Sequence, residues 1–219
     1  MFFGEPKMQN FRSESLDYKI IGITGGIGSG KTTAAKYIES MGYPVIYTDN
    51  LAKVVTKNDA ALKAKLIDAF GSDIYDTDGN LDSNKLSKIV FDTYEQDNAK
   101  LTLLNQIVHP PTIELMMEQI EELIELGNQL IFVESALIFE AGLDDGFDYI
   151  IAIDADEDKR IERTSARLKL SSEEIRKRNS QQISTDIKKK LADFVIENNG
   201  NIDQMYNSID FILTIIKMA

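Results

Sequence analysis

The sequence of 219 residues contains no cysteine and a single histidine. Without cysteine there is no disulfide, no thiolate metal site and no cysteine nucleophile. One histidine, His109, cannot build a multi-histidine metal centre. Basic residues are scarce beside acidic ones, 24 against 36, for a net charge of −12. That balance argues against a general affinity for DNA, RNA or anionic membranes. It leaves room for a phosphorylated small molecule, whose site needs only a few local cations and backbone amides. Long hydrophobic runs are also missing, and none approaches the roughly 20 residues needed to cross a bilayer. Met1 to Asp17 is polar after Met1-Phe2-Phe3 and lacks the apolar stretch of a secretory signal. It is expected to be a loosely ordered extension, on a protein expected in the cytoplasm.

What remains has the composition of a soluble globular protein, 43% hydrophobic and 27% charged, enough for one compact domain with an inserted subdomain. Five short apolar runs predict buried strands: Lys19 to Ile23, Pro44 to Tyr47, Gln129 to Val133, Asp148 to Ile153 and Phe194 to Ile196. Their near-continuous apolarity fits strands covered on both faces, as in a parallel sheet with helical crossovers. The fold class is therefore α/β, a doubly wound five-stranded parallel sheet. About 80 residues separate the second run from the third, and a connection that long carries structure of its own. Helices are expected there around Ala60 to Phe70, Ser83 to Val90, Gln96 to Val108 and Thr112 to Leu126. A second insertion, Lys159 to Lys190, carries Arg160, Arg163, Arg167, Arg176 and Arg178. The core is expected at 18–56, 128–158 and 191–219, a helical insertion at 57–127 and a helical lid at 159–190.

The segment Gly25-Gly26-Ile27-Gly28-Ser29-Gly30-Lys31-Thr32 fits G-x-x-x-x-G-K-[ST] in full, after a strand and before a helix. Glycines let the backbone wrap so that its N–H groups converge on phosphates. The following helix offers free N–H groups and the positive end of its dipole. Lys31 is expected to bridge the β- and γ-phosphates of ATP, and the Thr32 hydroxyl to hold Mg²⁺. A P-loop alone does not name the acceptor.

Asp49 follows the second strand, at the sheet edge where ligands of open α/β sheets bind. Two roles suit it: base or orienter for an acceptor hydroxyl, or N-cap for a helix from Asn50 onward. Glu134 ends the third strand and suits either metal support through water or pairing with a nearby cation. Arg163 and Arg167, spaced i,i+4 on one helix face, suit a phosphate or adenine clamp, or a solvated face. His109, before Pro110 and between two helical patterns, reads on its own as a hydrogen-bonder or cap.

Together these motifs resemble the dephospho-coenzyme A kinase family. The resemblance rests on Ile23 to Thr33, Pro44 to Asp49, Phe70-Gly71 with Asp78 to Asp82, and Leu104 to Pro110. It continues through Leu137 to Leu143, Arg163, Arg167 and Arg178 with Gln182 and Lys188, and Ala192 to Gly200. It implies transfer of the ATP γ-phosphate to the ribose 3′-hydroxyl of dephospho-CoA, the last step of coenzyme A synthesis, with no obligate protein partner. It also implies a base role for Asp49, acceptor contacts from His109 and Leu137, and nucleotide contacts from Gly25 to Thr33, Arg163 and Arg167. Four positions depart from the family pattern: Tyr47 where a further Asp is common, Lys53 for Arg, Ala136 for Pro, and Ile113 for Arg after His-Pro. The alternative is another P-loop nucleotide or small-molecule kinase.

Overall fold

The computed structural model describes residues 18–91 and 99–219. The expected N-terminal extension, and the first residues of the helix expected from Gln96, lie outside the described residues. Five strands are present: β1 (Lys19–Thr24), β2 (Val45–Tyr47), β3 (Leu130–Glu134), β4 (Tyr149–Asp154) and β5 (Phe194–Glu197). They form one sheet in the order β2-β3-β1-β4-β5, every pairing parallel. The helices among the described residues are α1 (Lys31–Ser40), α2 (Thr48–Asn58), α3 (Ala60–Phe70), α4 (Ser83–Phe91) and α5 (Ala99–Glu125). They continue with α6 (Glu157–Leu168), α7 (Ser172–Asn179), α8 (Thr185–Leu191) and α9 (Ile202–Met218). None is long and apolar enough to cross a membrane.

By its contacts the chain divides into two compact units, one of them Thr48–Gln119. The other, 18–47 with Ile120–Ala219, holds the whole sheet. Its core explains the apolar runs. Ile21 and Ile23 of β1, Phe132 of β3 and Ile151 and Ile153 of β4 are at most 1% exposed and pack with Ala34, Ala35 and Ile38 of α1. From α9, Met205, Ile209, Leu213 and Ile216 join the same cluster at helical spacing, the stripe a sheet-covering helix requires. Asn201 starts α9 by accepting from Gln204 N–H at 3.0 Å, a cap bond.

The Thr48–Gln119 unit has its own cluster, with Val55 of α2, Leu62 and Leu66 of α3, Ile74, and Leu86 and Val90 of α4. The contribution of Val55 explains why this unit opens at α2 rather than at residue 57. Asp59 caps α3 by accepting from Ala61 and Leu62 N–H. The turn after Tyr75 is pinned by Asp76 Oδ1, which accepts from the N–H groups of Asp78 and Asn80. Those bonds hold the Asp76 carboxyl below the usual range, the Asn80 amide being the largest cause.

One expectation needs correction. The two helices expected on either side of His109 are a single helix, α5, with Pro110 and Pro111 inside it. The proline ring fixes φ near the helical value, so it removes a bond without forcing a turn. The Thr112 hydroxyl donates to the Val108 carbonyl at 2.8 Å across this point. A proline in a helix interior costs about 3 kcal/mol, and its stiffening of the unfolded chain returns about 1 kcal/mol. Pro111→Ala is therefore expected to stabilise the protein by about 1–2 kcal/mol. The urea midpoint should rise at unchanged m value; a lower midpoint would mean that the paired prolines set a bend the packing requires.

Candidate active site

The loop from Gly25 to Gly30 joins β1 to α1, and its course is set by how closely its neighbours approach. Gly25 has φ 147°, and a Cβ there would collide with the Ile153 carbonyl oxygen at the end of β4. Gly28, at φ 80°, presses on the Arg160 carbonyl and the Thr164 hydroxyl of α6. Any side chain at these positions would clash with its neighbour and strain the backbone. The Asn198 side-chain amide donates to the Ser29 carbonyl at 2.8 Å and fixes the far side of the loop.

Helix α1 begins without a side-chain cap: its N-cap is Gly30, in the left-handed conformation. Its first N–H groups and dipole are thus available to an anion. Lys31 leads the helix, and its ammonium donates back to the Gly26 carbonyl at 3.2 Å. Thr32 and Thr33 follow in the first turn. The hydroxyls of Thr24, Ser29 and Thr164 are buried without hydrogen-bond partners. Polar atoms left unsatisfied around one loop suit a polar ligand more than an apolar one. The structure thus brings Gly25, Gly26, Ile27, Gly28, Ser29, Gly30, Lys31 and Thr32 together at the carboxyl end of β1, where the loop enters the uncapped helix.

Glu134 is the last residue of β3 and only 5% exposed. It pairs in register with Ile23 of β1 on one side and Tyr47 of β2 on the other, which sets it beside the strand that feeds the loop. Among the described residues no group of three or more His, Cys, Asp or Glu could hold a metal ion as a protein cage. Mg²⁺ needs no such cage, since it keeps waters and takes substrate phosphates as ligands, and a hydroxyl such as that of Thr32 and an acid such as Glu134 are donors of the kind it accepts.

Tyr47 donates its hydroxyl to Glu39 Oε2 of α1 at 3.1 Å. Its pKa is pushed up to about 12, first by burial, then by the bond to Glu39 and the charges of Glu39 and Glu134. Where the resemblance leads one to expect a further carboxylate, this chain places a neutral donor tied to the first helix.

Arg160, Arg163 and Arg167 of α6 meet three different surroundings. Arg163 donates through Nη2 to the Asn198 carbonyl at 3.0 Å, so it braces the residue that holds Ser29, while its Nη1 is buried without a partner. Arg167 is exposed in the last turn of α6. Arg160 is the one turned to the loop. It is 9% exposed, a Cβ on Gly26 would collide with its Nη1, and its Nε has no partner. It lines a cavity of about 280 Å³ with Gly26, Arg176, Gln182, Ser184 and Thr185. Arg160 lies seven residues before Arg167, hence on the same helix face, which was the one sequence signal that could have singled it out.

Leu137 is half-buried in the turn after β3, its N–H donating to Ser135 Oγ at 3.2 Å. In the other unit, Asp49 is exposed in the first turn of α2, two residues beyond β2. Because α2 begins at Thr48, Asp49 lies inside the helix, and the reading of it as an N-cap for Asn50 is corrected. Lys53 is exposed one turn further along α2. His109 is half-buried within α5, not at a helix end, so its reading as a cap is corrected too.

The family model for dephospho-CoA kinase matches residues 19–204. A dephospho-CoA kinase of Leptospira interrogans is 37% identical over 198 residues, 90% of this chain and 92% of that protein. One from Fusobacterium nucleatum is 35% identical over 89% of this chain and 97% of its own length. Among solved structures, dephospho-CoA kinase from Campylobacter jejuni superposes with a TM-score of 0.65 at 25% identity, covering 90% of this chain and 96% of its own. A Thermus thermophilus protein does so with a TM-score of 0.72 at 35% identity, covering 90% and 97%.

The displaced titration of Tyr47 is directly measurable. Its folded pKa, about 12, exceeds the ordinary value near 10, so folding favours the neutral phenol. That contribution to stability is complete below pH 10 or so and is lost as pH rises towards 12. Difference absorbance between wild type and Tyr47→Phe should show one phenolate appearing near pH 12, and the variant should lose less stability at alkaline pH. A difference signal centred near 10 would contradict the partial burial of Tyr47 and its bond to Glu39.

Proposed function

The chain belongs to the dephospho-CoA kinase family, and we propose that it transfers the γ-phosphoryl group of ATP to the ribose 3′-hydroxyl of dephospho-CoA, in the cytoplasm and without an obligate protein partner. ATP-dependent phosphorylation of dephospho-CoA, in coenzyme A biosynthesis, is the activity of that family. The observation that carries the reading is the complete phosphate loop at the carboxyl end of β1, leading into an uncapped helix, in a chain matched by the family from residue 19 to 204.

In this mechanism the N–H groups of Gly25 to Gly30 and the start of α1, through Thr33, hold the triphosphate. Lys31 exchanges the Gly26 carbonyl for the β- and γ-phosphate oxygens. The Thr32 hydroxyl, and Glu134 through water, would hold Mg²⁺, which would neutralise charge on the phosphate oxygens. Asp49 accepts the proton of the acceptor hydroxyl as its oxygen bonds to γ-phosphorus, and the bond to the β–γ bridging oxygen breaks to release ADP. Its exposure in the first turn of α2, two residues beyond β2, supports this role. His109 and Leu137 contact the acceptor. Arg160 is the guanidinium assigned to the nucleotide phosphates, supported by its burial against Gly26 and its unpartnered Nε. Arg163 acts through Asn198, and for Arg167 the nucleotide contact rests on the resemblance alone.

ADP release measured with dephospho-CoA, AMP, CMP, shikimate and no acceptor tests the activity. Turnover is expected with dephospho-CoA, and turnover with another acceptor but not with dephospho-CoA would favour a different small-molecule kinase. Asp49→Asn should lower kcat about 10²- to 10⁴-fold while ATP affinity stays near wild type; turnover within a few-fold of wild type would remove Asp49 as the base. Arg160→Met should weaken ATP binding about ten- to hundredfold, the worth of a hydrogen bond to a charged group. Unchanged affinity would return the phosphate contact to Arg163 or Arg167.

A further inference from the structure

One buried ion pair plays no part in the chemistry above. Lys188 of α8 is 1% exposed. Its ammonium donates to the Ala136 carbonyl at 2.6 Å and meets Glu140 Oε1 at 2.8 Å. The same carboxylate oxygen accepts from the Ile183 N–H at 3.0 Å. Ala136 and Glu140 bracket Leu137 in the turn after β3. Ile183 belongs to the stretch Gln182 to Thr185, which lines the cavity beside Gly26 and Arg160. One buried base thus grips the turn at two points, and one acid grips both Ile183 and Lys188.

Packing alone could hold α8 in place. A buried ion pair is a weak source of net stability, because desolvation offsets much of the Coulomb attraction. Charge-assisted bonds instead confer direction and short, defined distances. Here those bonds join two pieces of the sheet-bearing unit that have separate tasks: the turn that presents Leu137 and the wall of the nucleotide cavity.

We propose that Lys188 and Glu140 are positioning residues that make this turn and this wall shift as one piece, so that ATP and dephospho-CoA each strengthen the binding of the other. The inference rests on the assignment of dephospho-CoA as acceptor and of Leu137 as one of its contacts. Linkage requires the strengthening to be equal in both directions.

The test is the affinity of the full chain for a non-hydrolysable ATP analogue with Mg²⁺, measured with and without saturating dephospho-CoA. Wild type should bind the analogue at least about fivefold more tightly with dephospho-CoA present, the lower end of ordinary coupling. In Glu140→Gln, which keeps the shape and an acceptor for Ile183, that factor should fall towards one. Lys188→Met leaves a buried acid unpaired and is expected to fold poorly, so the double variant Glu140→Gln/Lys188→Met is the second probe. It should regain thermal stability over Lys188→Met while its coupling factor stays near one, a separation that a merely structural pair would not give. Turnover of dephospho-CoA by wild type checks the acceptor assignment separately, and its absence would sink that assignment and this proposal together. Turnover without mutual strengthening in wild type, or strengthening retained in both variants, would overturn the role of the pair alone.

Discussion

The site depends on a steric constraint: the loop between β1 and α1 runs so close to the end of β4 and to α6 that Gly25 and Gly28 have no room for a side chain. The Ile153 carbonyl occupies the place of a Cβ on Gly25, and the Arg160 carbonyl that of one on Gly28. The loop is therefore held by its neighbours and not by its own side chains. Asn198 completes the enclosure at Ser29. A backbone fixed in this way presents its amides without reorganisation when an anion arrives, the condition for strong electrostatic binding.

The rest of the sheet-bearing unit serves that constraint. β1 is central, paired with β3 and β4, so the loop leaves from the middle strand of the sheet. The core beneath it, from Ile21 and Ile23 to Ile209 and Leu213, sets α1 and α9 against the sheet. Arg163 reaches the Asn198 carbonyl, and Lys159 donates to the carbonyl of the next residue, Asn199. α6 is thereby tied to the segment after β5, and both lie against the phosphate loop.

Basic side chains on α6 and α8 divide their work in a way that composition cannot express. Arg160, Arg163 and Arg167 share one short helix, yet one is buried against the loop, one braces a neighbour and one is exposed. Lys188, in a run of three lysines, is sunk into the protein, while Lys189 beside it pairs with Asp154 at 3.0 Å. Its bond to Asp154 raises the Lys189 pKa. Adjacent helical residues differ by about 100° in direction, so neighbours in a charged run can meet opposite environments.

The sequence by itself determined the five strands, their parallel pairing and the phosphate loop, because these rest on local signals: continuous apolar runs and glycines at fixed offsets. It also carried the family, through motifs kept in order along the chain. Only the tertiary structure decided which arginine faces the loop, since burial follows from what packs over a helix and not from spacing on it. The same holds for the bond of Tyr47 to Glu39, and for the clamp of Lys188 on residues about 50 positions away, which no local pattern encodes. α5 shows the reverse case. Pro110 and Pro111 read as a helix boundary, and the helix runs through them because proline removes bonds but keeps a helical φ.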